Sequence, residues 1–487
     1  MPLPLDLNDM QGLLVRAYSH LPEACYLMLT FGDEARGRVW LRRMADRVTR
    51  ASVKPDDVAL HLALSNRGVF RFLPKTKLAE QFSREFTDGM VAPERSRILG
   101  DLDTNQPENW NWGGPAQPVD AVLMLFAADK TRLETTYQDL HDELETHAIR
   151  EVIRLDTHPV PQQKEHFGFR DGLSQPLIIG LEKEGSPVDS ARPPADETER
   201  SNQANRIRPG EFILGYENEY GKIPFSPKAK TVGGAAVDLG KNGSYLVFRQ
   251  LRQDVKTFWE FMNDTARTNP YFAGHDAVYI AAKLVGRWPN GNPLTTTPNP
   301  QTPPVPEEHL NAFLYKTADQ HGFGCPIGAH IRKSNPRDGI DSDPDTSIEV
   351  SKRHRILRRG RSFGEPLAES MEPEAMLASE RGGDRGLYFI CLNTNIGRQF
   401  EFIQHTWDNN SKFDGLYNDV DPISGFAFLK YQEDKYVPGE FTIQDQPVRK
   451  KVKDIPQFVY VQGGAYFFVP GLRTLRLIAD ADTKLVY

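Results

Sequence analysis

The chain has 487 residues and only three cysteines, Cys25, Cys325 and Cys391. An odd, sparse count supplies no disulfide framework and suits a reducing compartment. It also excludes an all-cysteine zinc site, which takes four thiolates. Any metal must be held by histidine or arrive inside a cofactor. No apolar run approaches the roughly 18 residues of a membrane-spanning helix. Positive charge is not in excess, with 59 Lys and Arg against 66 Asp and Glu and a formal net charge of −7. A general nucleic-acid binder needs a basic face to neutralise phosphates, so that class is disfavoured. The stretch Met1-Pro2-Leu3-Pro4-Leu5-Asp6 has neither the basic nor the apolar region of a secretory leader, and the expected location is cytoplasmic.

What is present is a globular composition. Hydrophobic residues make up 39% and charged residues 26%, with 27 Phe, 16 Tyr and 6 Trp. The length suits two or three domains. The 38 glycines and 36 prolines call for long loops.

Periodicity gives an α+β pattern. Residues 12–19, 26–31, 58–64 and 151–155 read as strands, and 34–50 as a helix. Residues 121–126 (AVLMLF) form a continuous apolar run, as in a strand buried on both faces. Leu133, Tyr137, Leu140 and Leu144 then fall on one helical face. The polar stretch 182–209 reads as a surface loop, and 288–306 is too proline-dense for regular structure. The second half starts again with a strand at 245–251, helices at 254–266 and 276–285, and strands at 387–392 and 458–469. Between these last two, Ile396, Phe400, Ile403 and Trp407 trace a helical face.

Three segments could carry chemistry. In Gly168-Phe169-Arg170-Asp171-Gly172, two glycines let the backbone turn sharply around an aspartate and aim it into a cavity. The plain alternative is a turn Asp bonding its own backbone. In Cys325-Pro326-Ile327-Gly328-Ala329-His330-Ile331-Arg332-Lys333, an extended backbone would point His330 and Arg332 to one side. That pairing suits iron and a carboxylate respectively. The alternative is a buried structural histidine, and a zinc set of His321, Cys325 and His330 lacks a fourth ligand. In Arg353-His354-Arg355-Ile356-Leu357-Arg358-Arg359-Gly360-Arg361, Ile356 and Leu357 interrupt a basic run. Part of it should therefore be buried, and a buried arginine needs an anionic partner.

Taken together, GFRDGLSQP, CPIGAHIRKSNPR, HRILRRGRSFG and RGLYFICLNTNIGRQFEFIQHTW resemble the dye-decolourising haem peroxidases. The N-terminal LNDMQGLLVRAYSH and YLMLTFGD resemble that family too, so the likeness covers nearly the whole chain, and it is strongest to the larger members with extended loops. The resemblance implies two ferredoxin-like domains of antiparallel sheets and helices, forming a dimeric α+β barrel-like fold. The boundary is expected near residue 235, giving units 1–235 and 236–487. It implies one haem b per chain, with His330 as the proximal iron ligand, Arg332 on a haem propionate and Asp421 (or Asp419) behind the histidine. Asp171 is implied as the distal acid–base group, with Arg358 (or Arg359) stabilising charge and Leu387, Phe389 and Leu392 as distal wall. Trp407 stands where some members carry a surface-oxidised Trp, although its spacing also fits a core Trp. Phe363 stands where some have Tyr. The implied reaction uses hydrogen peroxide to form a ferryl intermediate, which oxidises dyes, phenols and other bulky aromatic reductants in one-electron steps, with an acidic pH optimum. The chain is expected to be a monomer or homodimer without nucleic-acid or membrane partners. The alternative is a haem-binding or haem-delivery protein with incidental peroxidase activity.

Overall fold

The computed structural model describes residues 4–181, 194–299, 302–380, 382–426 and 439–486. Its first half runs β1 (Glu23–Phe31), α1 (Glu34–Arg47), β2 (Val58–Ser65), β3 (Ala121–Ala127), α2 (Lys130–Thr146) and β4 (Ile149–Asp156). Each helix starts at an aspartate cap: Asp33 accepts from Arg36 N at 2.8 Å, and Asp129 from Arg132 N at 2.9 Å. Such caps satisfy backbone donors that the helix cannot. Leu133, Leu140 and Leu144 are buried along α2.

The second half runs β5 (Ser244–Gln253), α3 (Val255–Thr268), α4 (Ala277–Val285), α5 (His330–Ser334), β6 (Leu357–Arg358), β7 (Arg361–Phe363), β8 (Gly386–Asn393) and β9 (Val459–Val469). These strands join the first four in one sheet of order β6-β8-β5-β9-β2-β3-β1-β4, with β7 also on β8. Every pairing is antiparallel. Counted within each half, and taking β6 and β7 together as one strand, both read 4-1-3-2. The first half also has the βαββαβ order of a ferredoxin-like unit. The halves meet where β9 pairs with β2 at Phe467↔Ser65 and Phe468↔Leu64.

The barrel-like part of the expectation needs correction, because among the described residues the sheet does not close. Its edges approach through one backbone bond, from His158 N to Ser362 O at 2.8 Å. Strand alternation splits the core between the two faces. Cys25, Leu27 and Leu29 of β1 pack on one side. Tyr26 and Met28 pack on the other with Phe126, Phe248 and Tyr388 from both halves.

Two local readings also change. Residues 12–19 are not a strand: Gly12–Leu14 is a 3-10 turn, and Tyr18 has φ +56°. Within 182–209, Glu197–Ala204 is a helix capped by Asp196, while 182–193 lies outside the described residues. Of the proline-rich 288–306, residues 300–301 also lie outside them. Residue 235 stands in the turn joining Lys228–Thr231 to Ala236–Asp238, which pair with each other.

Candidate active site

A cavity of about 320 Å³ opens between the β5–β8–β9 sheet face and the helices of the second half. Asp171 reaches it from a loop that doubles back on itself. Glu165 N donates to Phe169 O at 2.9 Å, and Gly168 N to Glu165 O at 2.8 Å. The Glu165 carboxylate accepts from Phe167 N at 2.9 Å, Phe169 N at 3.0 Å and Gln253 Nε2 at 2.6 Å. Burial pushes its pKa up to about 7. Gly168 and Gly172 have φ of +94° and +79°, and a Cβ on Gly168 would sit 3.0 Å from Met371 O. Only glycine meets both demands at position 168. Asp171 Oδ1 then accepts from Gly172 N at 2.6 Å and Arg358 Nη1 at 3.1 Å. Its side chain is 41% accessible, through the cavity it lines. Burial alone would raise its pKa, but the Arg358 charge and these bonds outweigh that and hold it below the usual carboxylate range.

The orientation of Arg358 follows from strand pairing. It stands opposite Cys391 on β8, so both point to the face that carries Leu387 and Phe389. Arg359 turns the other way and donates to Leu13 O at 2.9 Å and Leu14 O at 3.4 Å. Arg358 is therefore the one at the cavity. The same alternation corrects one wall assignment. Leu387 and Phe389 line the cavity, whereas Leu392 has the opposite parity and packs in the core on the sheet's other face.

His330 starts the short helix α5, after Ala329, and its ring borders the cavity. Its Nδ1 pairs with Asp421 Oδ2 at 3.0 Å. Asp421 Oδ1 accepts from Ile423 N at 2.8 Å and Ser424 N at 2.7 Å. Burial acts to lower the His330 pKa, but the Asp421 charge and hydrogen bond outweigh it and raise it to about 9. Asp419, the competing carboxylate, instead accepts from Thr442 N at 2.6 Å. Sequence reasoning missed Asp408. It is buried between Ser334 Oγ at 3.1 Å and Ser424 Oγ at 3.0 Å, and burial and then the Asp421 charge raise its pKa. Its signal was weak, since it follows Trp407 within an apolar helical pattern.

Arg332 is not at the cavity. The segment is helical rather than extended, so two residues turn the side chain through about 200°. Its guanidinium goes to Asp319 O and Cys325 O at 3.0 Å and Gln320 O at 3.2 Å. Arg337 and Arg355 border the cavity instead. Neither has a carboxylate partner among the described residues, and the Arg355 guanidinium makes one long bond, 3.4 Å to Ser174 O. Burial first, then the charges of Arg337 and Arg358, push the Arg355 pKa down to about 9. Arg337 donates to Asn311 O at 2.9 Å and Phe313 O at 2.6 Å, which leaves Arg355 the less compensated cation, and a cation bordering a largely apolar cavity fits a ligand that is apolar in bulk and carboxylated at its rim. Haem is such a ligand, and His330 offers it an imidazole nitrogen on the same cavity wall.

Trp407 is 5% exposed and borders the cavity, so it is a wall residue and not a surface one. The helical face read at 396–407 is wound wider than an α-helix. Glu401 N donates to Ile396 O and Asn409 N to Gln404 O, five residues back, each at 2.9 Å. Such π turns are frequent at functional sites. This one brings Phe400, Ile403, Trp407 and Asp408 to a single cavity. Cys325 and Cys391 are buried free thiols that do not line it, and burial raises both pKa values, that of Cys325 to about 12.

The comparisons with known proteins agree with this geometry. No family model matches the chain. A multifunctional dye peroxidase of Amycolatopsis sp. is 30% identical over 489 residues, covering 96% of this chain and 95% of the relative. A dye-decolorizing peroxidase of Mycena epipterygia is 30% identical over 451 residues, covering 87% and 76%. The solved structure of an ancestral D-type dye decolorizing peroxidase aligns with a TM-score of 0.73 at 25% identity, over 97% of this chain and 99% of that one. With this likeness running the length of the chain and a histidine, an aspartate and an arginine converging on one cavity, the chain belongs to the dye-decolourising peroxidases, haem-dependent enzymes that oxidise dyes and aromatic substrates.

Proposed function

We propose that the cavity takes haem b, with His330 on the iron, Arg337 and Arg355 at the propionates, and hydrogen peroxide entering on the side of Asp171 and Arg358. The observation that carries this reading is the convergence of the Asp421–His330 pair and the Asp171–Arg358 pair on one cavity. The bound group would supply an iron for peroxide and a store for two one-electron oxidations of aromatic reductants. Asp421 accepts from Nδ1 and so leaves the other ring nitrogen for the metal while raising its basicity. Asp171 takes a proton from one peroxide oxygen and returns it to the other. Arg358 keeps its own proton and offsets the negative charge on the departing oxygen. Leu387 and Phe389 keep water from the reacting atoms. A carrier would have no use for an acid–base pair on that side. The four-strand sets of 1–235 and 236–487, each ordered 4-1-3-2, support a two-unit organisation with the haem held mainly by the second unit.

The reading is tested by the pH dependence of peroxide consumption in the haem-loaded protein. A depressed pKa keeps Asp171 ionised below the ordinary value of about 3.9. The rate should therefore hold from neutral pH into the acid range and fall only below about pH 4. An acid limb near neutrality would remove Asp171 as the base. A second outcome concerns Asp421→Asn. The neutral amide holds the ring but lends it no charge, and haem transfer to a competing apoprotein should become roughly 10–100-fold faster. An unchanged transfer rate would show that Asp421 does not support the ligand.

A further inference from the structure

Arg358 is held at its backbone as well as at its guanidinium, and both holds come from one short segment. Strand β6 has two residues and lies at the edge of the sheet. Arg359 N donates to Ile390 O at 2.7 Å, so the alternation of an antiparallel pair turns the N–H and C=O of Arg358 away from β8. The side chain of Gln175 stands where a further strand would be. Its Oε1 accepts from Arg358 N and its Nε2 donates to Arg358 O, each at 3.3 Å. The same carbonyl accepts from Arg359 Nη1 at 3.0 Å. Four residues before Gln175, Asp171 Oδ1 accepts from the Arg358 guanidinium at 3.1 Å. Gln175 is itself tied down. Pro176 follows it and is buried, which restricts Gln175 to extended backbone. Gln175 O accepts from Asn205 Nδ2 at 2.8 Å, and Leu177 N donates to Asn205 O at 2.9 Å. Leu177–Ile178 then pairs in parallel with Arg206–Ile207.

We propose that Gln175 is a positioning residue for the peroxide reaction, fixing the backbone of Arg358 so that its guanidinium meets Asp171. This rests on the peroxidase reading above. Gln175 acts through Arg358 and not on the reacting atoms. A two-residue strand paired on one side only is free to shift, and any shift is carried along the arginine side chain to the guanidinium. Reacting groups tolerate little of this, since a misplacement of about 1 Å can cost about 10²-fold in rate. An amide suits the task because it presents one acceptor and one donor side by side. A carboxylate would set a second oxygen against Arg358 O, and an aliphatic side chain would meet neither backbone group. Leu173 and Ser174, between the two contact points, line the cavity. Residues 171–175 thus place the base, part of the wall and the cation together.

The test is a double-mutant cycle on the haem-loaded full chain, with Gln175→Leu, Arg358→Leu and the two combined. Two quantities are read: the rate of the first peroxide step, by stopped-flow absorbance, and the affinity of the resting protein for fluoride, by the shift of the Soret band. Fluoride is a small anion that takes a hydrogen bond from a nearby guanidinium, so its affinity reports where Arg358 lies without any turnover. Gln175→Leu should slow the peroxide step and weaken fluoride by roughly tenfold or more, with haem content unchanged. In the Arg358→Leu background the same substitution should change either quantity by less than about twofold. Gln175→Asn, whose amide is one methylene short of the strand, should show the same pattern and serves if the leucine variant does not fold. Wild-type values in Gln175→Leu, or equal losses with and without Arg358, would overturn the assignment, the second by showing a general loosening of the loop. If the wild-type protein does not react with peroxide, the peroxidase reading itself fails, and the two failures are thereby distinguished.

Discussion

Replacing His330 by alanine is expected to leave a folded protein that no longer retains haem. The side chain starts a five-residue helix and faces a cavity, so its removal opens no hole in the packed sheet core. Far-ultraviolet dichroism should match the wild type. Haem affinity should drop by more than about 100-fold, beyond the upper end of what losing a supporting residue costs. Added imidazole should restore part of the Soret band, because it can occupy the space left beside Asp421. Full haem retention with an unchanged spectrum would mean that another side chain holds the iron. A thiolate-type spectrum would point to a cysteine, although Cys325 and Cys391 are buried and neither lines the cavity.

The second large effect is expected at Asp171. An asparagine there nearly preserves shape and can still accept from Arg358, but it cannot carry a proton. Asp171→Asn should keep haem and slow the reaction with peroxide by roughly 10²–10⁴-fold, the usual worth of a positioned acid–base group. Stopped-flow absorbance of the first peroxide step measures this directly, and an unchanged rate would remove Asp171 from the chemistry. Arg358→Leu makes a linked prediction with a definite sign. The Arg358 charge is the largest influence lowering the Asp171 pKa, and burial opposes it. Without the arginine that lowering influence is lost and the pKa rises. The base form is then lost at higher pH, so the acid limb of the peroxide reaction moves upward. A limb that stays in place would mean that the two side chains are not coupled.

The sequence made some of this legible and hid the rest for identifiable reasons. The apolar run at 121–126 became β3, bounded Ala121–Ala127, because continuous hydrophobicity marks a strand with both faces covered. The Leu133–Leu144 stripe became α2, because a long amphipathic helix is decided locally. The separate motifs named Asp171, His330, Arg358 and Asp421, yet only the fold shows that residues 187 apart in the chain share a hydrogen bond. Where the reading failed, one undetermined dihedral choice was enough. An extended backbone puts Arg332 beside His330, whereas a single helical turn sends it to the carbonyls of 319–325. Leu392 shares the strand of Leu387 and Phe389 but has the opposite parity, which an apolar pattern alone does not reveal. Arg355 stands among five arginines in nine residues, and nothing local distinguishes the one whose guanidinium makes a single long bond. Glu165 and Asp408 acquire their raised pKa values from burial that the sequence does not display.

The near-meeting of the sheet's two edges bears on how the protein survives in a crowded solution. Unpaired edge strands are templates for another chain and a common start of aggregation. Here the strand carrying Arg358 is also an edge strand. Its neighbours close it off: Arg359 reaches the carbonyls of Leu13 and Leu14, and Arg361 those of Leu21 and Pro22, each of the latter at 2.8 Å. His158 takes the carbonyl of Ser362 from the other side. Arg358 is thus framed by two arginines that shield its strand. A truncation that removed residues 4–22 would uncover this edge, and its first symptom should be self-association before any loss of haem.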